Sequence, residues 1–419
     1  MQYGTSGTDY GVGVATDTAG KVFAGGFTNG TLPGQTSSGG SYDAYVTQWS
    51  TSGTLQWTRQ FGTASDDRVY GLASVGASSV AAVGVTSGAL PTFTSAGSFD
   101  AIVRLYDGTG SALWTRQYGT DNYDGLLAVA ADGLGHVYVG GNTLGSFAGY
   151  TNAGGNDAFI SQLDAATGAV NWTFQIGTSG DEFGYGLGAD SLGNVYLGGR
   201  TSGALPTQTS AGGHDAFVLK LNVTGSLQWV RQLGTAATDI VRAVAVDSTG
   251  AVLIAGQTAG ALPSQTALGD YDAFVRKLDA NGNTLWTDQF GSTLADIAYG
   301  VAAGPGDQVF ISGHTSGALP GETNPSASDT FLKVYTPGGA TVLVDQFGGT
   351  ANVVGDGGIA VDAAGNAYLA GNNFGTLPGQ TSAGGQDAYI IQVAAVPEPA
   401  TTTLLLGGLT LLGLRRRRG

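Results

Sequence analysis

The sequence predicts an all-β fold, a seven-bladed β-propeller of four-stranded repeats about 57 residues long, and three observations carry this reading. An aspartate ahead of a small–aromatic–apolar run recurs at Asp43, Asp100, Asp157, Asp215, Asp272, Asp329 and Asp387, always 57 or 58 residues apart. A second marker, Gln–apolar–Gly, recurs in phase at Gln2, Gln60, Gln117, Gln175, Gln232, Gln289 and Gln346. Glycine makes up 73 of the 419 residues while proline makes up 11 and hydrophobic residues 42%. That balance fits many short strands joined by tight turns, and it argues against a disordered linker. Two independent markers count seven, and a fixed period is the signature of stacked repeats.

Residues 184–232 display one repeat in full. GYGLGAD (184–190) is a strand of small residues, and SLGN (191–194) is a glycine turn. VYLGGRT (195–201) is the second strand, followed by the loop SGALPTQTSAGGH (202–214). DAFVLKLN (215–222) alternates strictly, with Phe217, Leu219 and Leu221 on one face. VTGS (223–226) turns the chain into LQWVRQ (227–232), the fourth strand. Four short antiparallel strands with two apolar faces do not stand alone in water. Radial packing around an axis buries those faces, whereas the coils of a β-solenoid are much shorter than this repeat.

The fourth strand carries a tryptophan three residues before the glutamine: Trp57, Trp114, Trp172, Trp229 and Trp286, with Leu343 in the sixth copy. These are read as inter-blade core, where a large aromatic buries much area. The stretch Leu163 to Trp172, LDAATGAVNW, resembles the tryptophan-docking motif of quinoprotein propellers. That resemblance implies blade locking and no catalytic role.

The seventh repeat ends at Ile390-Ile391-Gln392-Val393 without a fourth strand, and the chain begins with Met1-Gln2-Tyr3-Gly4, the last residues of one. This predicts a ring closed by pairing the N-terminal residues with the last blade. The missing Leu-x-Trp and the missing export signal lead to the expectation that both lie upstream of Met1.

The combination G-N-V-Y-L-G-G-R-T, S-G-A-L-P, D-A-F-V-L-K-L-N and L-Q-W at 193–229 resembles the bacterial seven-bladed β-propeller (SBBP) repeat. The resemblance spans residues 2–395 and implies an extracellular or surface propeller. Two units follow, a propeller over 1–395 and a tail over 396–419.

The tail has three parts: VPEP (396–399), ATTTLLLGGLTLLGL (400–414), then four arginines and Gly419. Prolines on both sides of Glu398 keep the junction extended. The 15 apolar residues, read as a short C-terminal helix, fall short of the roughly 20 of a membrane span. The arginines hold that end on the cytoplasmic side. This order resembles the PEP-CTERM sorting signal, carried by Val396, Pro397, Glu398, Pro399, Arg415, Arg416, Arg417 and Arg418. The resemblance implies an exosortase-type membrane protease of Gram-negative, exopolysaccharide-making bacteria. It also implies transient inner-membrane anchoring and delivery to the cell surface or matrix.

Charged residues are 11% and the net charge is −15, so a nucleic acid backbone is repelled. Without cysteine there are no disulfides or thiolate metal sites. His136, His214 and His314 share no repeat position, and no nucleophile motif lies beside them. No catalytic, metal or cofactor residue is assigned. The repeat aspartates are expected to accept N–H bonds from their own loops. A second acidic set, Asp9, Asp66 with Asp67, Asp124, Asp181 with Glu182, Asp239, Asp296 and Asp356, is read as turn residues. The long loops between second and third strands are the candidate binding face, with Gln35, Gln208, Gln265 and Gln380 suited to sugar hydroxyls. The expected function is a non-enzymatic exported propeller that contacts exopolysaccharide or another envelope component. The alternative is a secreted enzyme on a propeller scaffold, a glycan lyase or hydrolase or a quinoprotein-like oxidoreductase. An acid–base cluster breaking the seven-fold pattern at one end of the axis would favour the enzyme, and the repeat pattern displays none.

Overall fold

The computed structural model describes residues 1–324 and 326–395. Seven antiparallel sheets follow one another along the chain. The fourth blade is typical: Glu182–Ala189 innermost, then Val195–Thr201, Asp215–Leu221 and, outermost, Leu227–Leu233. Blades one to three and five and six repeat that order. The aspartates of the first marker open the third strand of every blade, from Asp43 in the first to Asp387 in the seventh. The predicted all-β propeller is the fold observed.

Each junction between neighbouring blades holds its own apolar cluster. Phe23, Val46 and Phe61 of the first blade meet Val69, Val80 and Tyr106 of the second. Between the third and fourth, Tyr138 and Ile160 meet Leu197, Phe217 and Leu219. The core is therefore a ring of seven clusters, and both faces of every sheet are buried by neighbours.

The seventh blade closes the ring. Its outermost strand is Gln2–Tyr3, with Gln2 opposite Tyr389 and Tyr3 opposite Ala388. The Met1 ammonium donates to the Ile390 carbonyl at 2.6 Å, and the Ile390 N–H donates back to Met1 at 2.8 Å. Its innermost strand is broken into Val353–Val354 and Ile359–Val361, both paired with Ala367–Asn373.

The sorting residues Val396, Pro397, Glu398, Pro399 and Arg415 to Arg418, and the expected short helix over 400–414, lie outside the described residues. No described helix is long and apolar enough to cross a membrane.

Candidate functional site: the axial mouth

The two sequence markers meet in one hydrogen-bonded clamp. In the first blade, Gln60 Nε2 donates to Asp43 Oδ2 at 2.8 Å and to the Gly30 carbonyl at 2.9 Å. Gln60 Oε1 accepts the Leu32 N–H at 2.9 Å. One side chain thus ties the outer strand, the third strand and the long loop together. Gln232 repeats the pattern with Asp215, Gly203 and Leu205, and Gln289 with Asp272, Gly260 and Leu262. Gln2 does the same across the closure, holding Asp387 at 2.7 Å, the Gly375 carbonyl and the Leu377 N–H. The aspartates also take N–H bonds from their loops, as Ala211 to Asp215 at 2.8 Å shows. Asp100, Asp157 and Asp329 accept from Gln117, Gln175 and Gln346 in the same way.

The loop glutamines belong to that scaffold too. Gln35 Oε1 accepts the Gln60 N–H at 3.1 Å, Gln208 that of Gln232 at 3.0 Å and Gln265 that of Gln289 at 3.0 Å. Gln380 accepts that of Gln2 at 3.3 Å. Their amide oxygens pin the loops to the outer strands, with Leu32, Leu205, Leu262 and Leu377 buried beneath.

The tryptophans pack against the inter-blade clusters and dock on the next blade. Trp57, Trp114, Trp172, Trp229 and Trp286 donate Nε1–H to the carbonyls of Gly108, Ala165, Val223, Ala280 and Pro337, at 2.9–3.3 Å. Each covers the turn between the next blade's last two strands.

Among the positions that differ from blade to blade, one lines the axis and another lies behind it. Each of the first six innermost strands slips register by one residue, leaving Val12, Tyr70, Leu127, Tyr185, Arg242 and Tyr299 extra in the ladder. A bulge re-aims a side chain, and these residues line the central cavity, of about 270 Å³. The break in the seventh innermost strand adds Asp356 to the same wall. The second variable position is the penultimate residue of the second strand: Phe27, Val85, Asn142, Arg200, Gln257, His314 and Asn372. Several of these support the bulged residues directly. Gln257 Oε1 accepts from Arg242 Nε and Nη2 at 3.2 Å each. His314 stacks on Tyr299 with ring centroids 5.5 Å apart. Asn372 donates to Asp356 at 2.6 Å.

The mouth is chemically lopsided. Over the first two blades lies an aromatic band. Tyr10 stacks on Phe27 at 4.4 Å, Tyr42 and Tyr70 meet Phe27 edge-on, and Arg68, paired with Asp66 at 2.6 Å, covers the Phe27 and Tyr42 rings. Over the fourth to seventh blades lie charge and proton chemistry. The Arg242 guanidinium sits 5.0 Å from the Tyr185 ring centroid and 5.2 Å from that of Tyr299. Burial, and then the Arg242 charge, push the His314 imidazole down to about 4, so it is neutral at physiological pH. Burial lifts the Asp356 carboxyl to about 6, against its hydrogen bond from Asn372.

Asp356 corrects the sequence reading. Val353 pairs with Asn373 as Asp9 pairs with Thr28, so valine occupies the turn-acid position in the seventh blade and Asp356 lies three residues further on. Asp9, Asp67, Asp124, Glu182, Asp239 and Asp296 are the true set, each accepting a loop N–H at 2.5–2.6 Å. Bulges bring Tyr185, Arg242 and Tyr299 to the axis, His314 stacks behind Tyr299 from the second strand, and the break in the seventh inner strand adds Asp356. Their only sequence signal is disagreement among copies at those positions.

A family model described as Beta-propeller repeat (SBBP) matches residues 171–206 and 228–262, and one described as PEP-CTERM protein-sorting motif matches 395–418. The chain is 28% identical over 425 residues to Regulatory protein FlaEY of Caulobacter vibrioides, covering 91% of this chain and 43% of that protein. It therefore spans less than half the length of that relative. Among solved structures, quinohemoprotein alcohol dehydrogenase from Comamonas testosteroni is 13% identical with a TM-score of 0.44, covering all of this chain and 78% of the other. The β-propeller domain of the Trilobed protease from Pyrococcus furiosus is 9% identical with a TM-score of 0.46, covering 94% of this chain and 100% of that domain.

Proposed function

We propose that this chain, which carries SBBP β-propeller repeats and a PEP-CTERM protein-sorting motif, is a non-enzymatic binding propeller of the cell surface or matrix whose ligand is an exopolysaccharide segment taken at the axial mouth. The sorting motif marks an exported propeller protein directed to the cell envelope and processed by an exosortase. One observation carries the ligand assignment. Half-exposed Tyr70, Tyr185 and Tyr299 line one axial cavity together with Arg242 and Asp356. Aromatic rings beside neutral donors and acceptors suit sugar faces and hydroxyls. The cavity is just below the ~300–1,000 Å³ of small-molecule sites, room for one sugar-sized group. A regulatory role, as the name of the Caulobacter relative states for that protein, also rests on binding.

A panel of immobilised glycans probed with the full chain tests this reading. We expect retention on at least one exopolysaccharide, lost when Tyr185 and Tyr299 are both replaced by alanine. Retention unaffected by that pair would place any binding elsewhere. The processing half is tested on native protein by mass spectrometry: its C-terminus should fall between Val396 and Pro399, and an intact Gly419 on cytoplasmic protein would contradict it.

A second reading, a secreted glycan lyase or hydrolase, is favoured by Asp356, a carboxyl in the axial wall that burial pushes up to about 6. New reducing or unsaturated ends released from a bound glycan, and absent with Asp356→Asn, would establish it over the binding role.

A further inference from the structure

We propose that the axial mouth selects a sugar unit bearing a carboxylate, and that Arg242 is the residue that reads this charge. The inference rests on the glycan reading above and names the chemistry of the unit bound.

Arg242 is the one cation among the described residues that line the axial cavity. Arg68 pairs with Asp66 at 2.6 Å, Lys277 with Asp247 at 2.7 Å and Lys333 with Asp288 at 2.9 Å, whereas buried Arg276 makes no ion pair among the described residues but donates to Thr287 and does not line this cavity. Arg242 makes no ion pair among the described residues. It is oriented by the neutral oxygen of Gln257 and by two tyrosine faces, 5.0 and 5.2 Å from the ring centroids. Those contacts fix the guanidinium plane and occupy Nε and one hydrogen of Nη2, leaving Nη1 free to donate. A half-buried guanidinium without a counter-ion, in a chain of net charge −15, is a preorganised site for an anion.

The same charge limits the ligand. A chain of net charge −15 repels a dense polyanion at long range. What fits is a largely neutral polysaccharide with isolated uronic acid units, one carboxylate entering the mouth while neighbouring neutral sugars meet the aromatic band of Tyr10, Tyr42 and Tyr70. Arg242 is then a specificity residue for the charged unit, and the aromatic band supplies affinity without regard to charge.

Matched oligosaccharides test this with the full chain by titration calorimetry: a uronate-containing oligosaccharide, the same molecule with its carboxyl reduced to the alcohol, and a sulfated counterpart. We expect the reduced form to bind roughly 10- to 100-fold more weakly. Arg242→Gln should bring the uronate and the reduced form to the same affinity, removing the preference for the carboxylate. Equal affinity for uronate and reduced forms overturns the proposal while the glycan reading stands. Binding of none of the three overturns the glycan reading itself. Tighter binding of the sulfated form overturns the carboxylate assignment. If Arg242→Gln melts early, the comparison on the unmutated chain still decides, and Arg242→Lys should retain part of the uronate preference.

Discussion

At the scale of single residues, the clamp recurs in every blade while the axial wall does not. The Gln–Asp clamp is identical around the ring because each blade needs it to hold a long loop on its edge. Gln232→Ala would orphan the Leu205 N–H and leave the buried Asp215 carboxylate with only the Ala211 N–H. We expect it to cost about 2–4 kcal/mol in urea unfolding, more than an exposed glutamine such as Gln228. Asp356 makes a different prediction. Its folded-state carboxyl is raised from 3.8 to about 6, so the folded protein holds the proton more tightly than the unfolded chain does. The stability this provides is complete below pH 3.8 and disappears as pH rises through about 6. Asp356→Asn should therefore match the wild type near pH 4 and exceed it near pH 7.5 by on the order of 1–3 kcal/mol. Thermal melts of both proteins across that range check it. The clamp residues were legible in the sequence as markers, because identity repeats. Their mutual hydrogen bond was not, since 17 residues separate Gln232 from Asp215 and only the sheet brings them together.

At the scale of elements, turns and bulges set the design. The last hairpin turn of each blade must be flat where the preceding blade's tryptophan lies on it. Gly225 has φ +80°, and a Cβ there would meet Trp172 Cδ2 at 2.8 Å. Gly250 has the same φ of +80° but opens into empty space. Alanine at Gly250 should cost only the backbone term of about 1 kcal/mol, while alanine at Gly225 should cost more by displacing the indole. A difference near zero between the two would remove tryptophan docking from the account. The alternating third strand and the glycine turns were readable from the sequence. The inner-strand bulges were not. A run such as Val241-Arg242-Ala243 carries no sign that its middle residue lacks a partner across the ladder. Arg242 therefore leaves no mark in the sequence, and Asp356 resembles a turn acid although Val353 holds that place.

At the scale of the whole molecule, the ring joins a uniform scaffold to a non-uniform mouth. Seven junctions supply stability, and the axial wall varies blade by blade, from Val12 and Leu127 to Tyr185, Arg242 and Asp356. Closure runs through Gln2, which clamps Asp387, and through the Met1 pairing with Ile390. Gln2→Ala should loosen this junction before the others, seen as faster hydrogen exchange in Asp387–Val393 than in Asp215–Leu221. The count of blades and the mode of closure were visible in the repeat phase. The candidate site was not, because it exists only where seven distant strands converge.

The claim that the variable axis, and not the long loops, binds ligand is tested most directly by two double variants measured against one oligosaccharide. Tyr185→Ala with Tyr299→Ala alters the mouth, whereas Gln208→Ala with Gln265→Ala alters loops of the neighbouring fourth and fifth blades. The account predicts that the first pair weakens binding about tenfold or more while the second leaves it within about twofold. Loss of binding with the loop pair, and full binding with the axial pair, would contradict it.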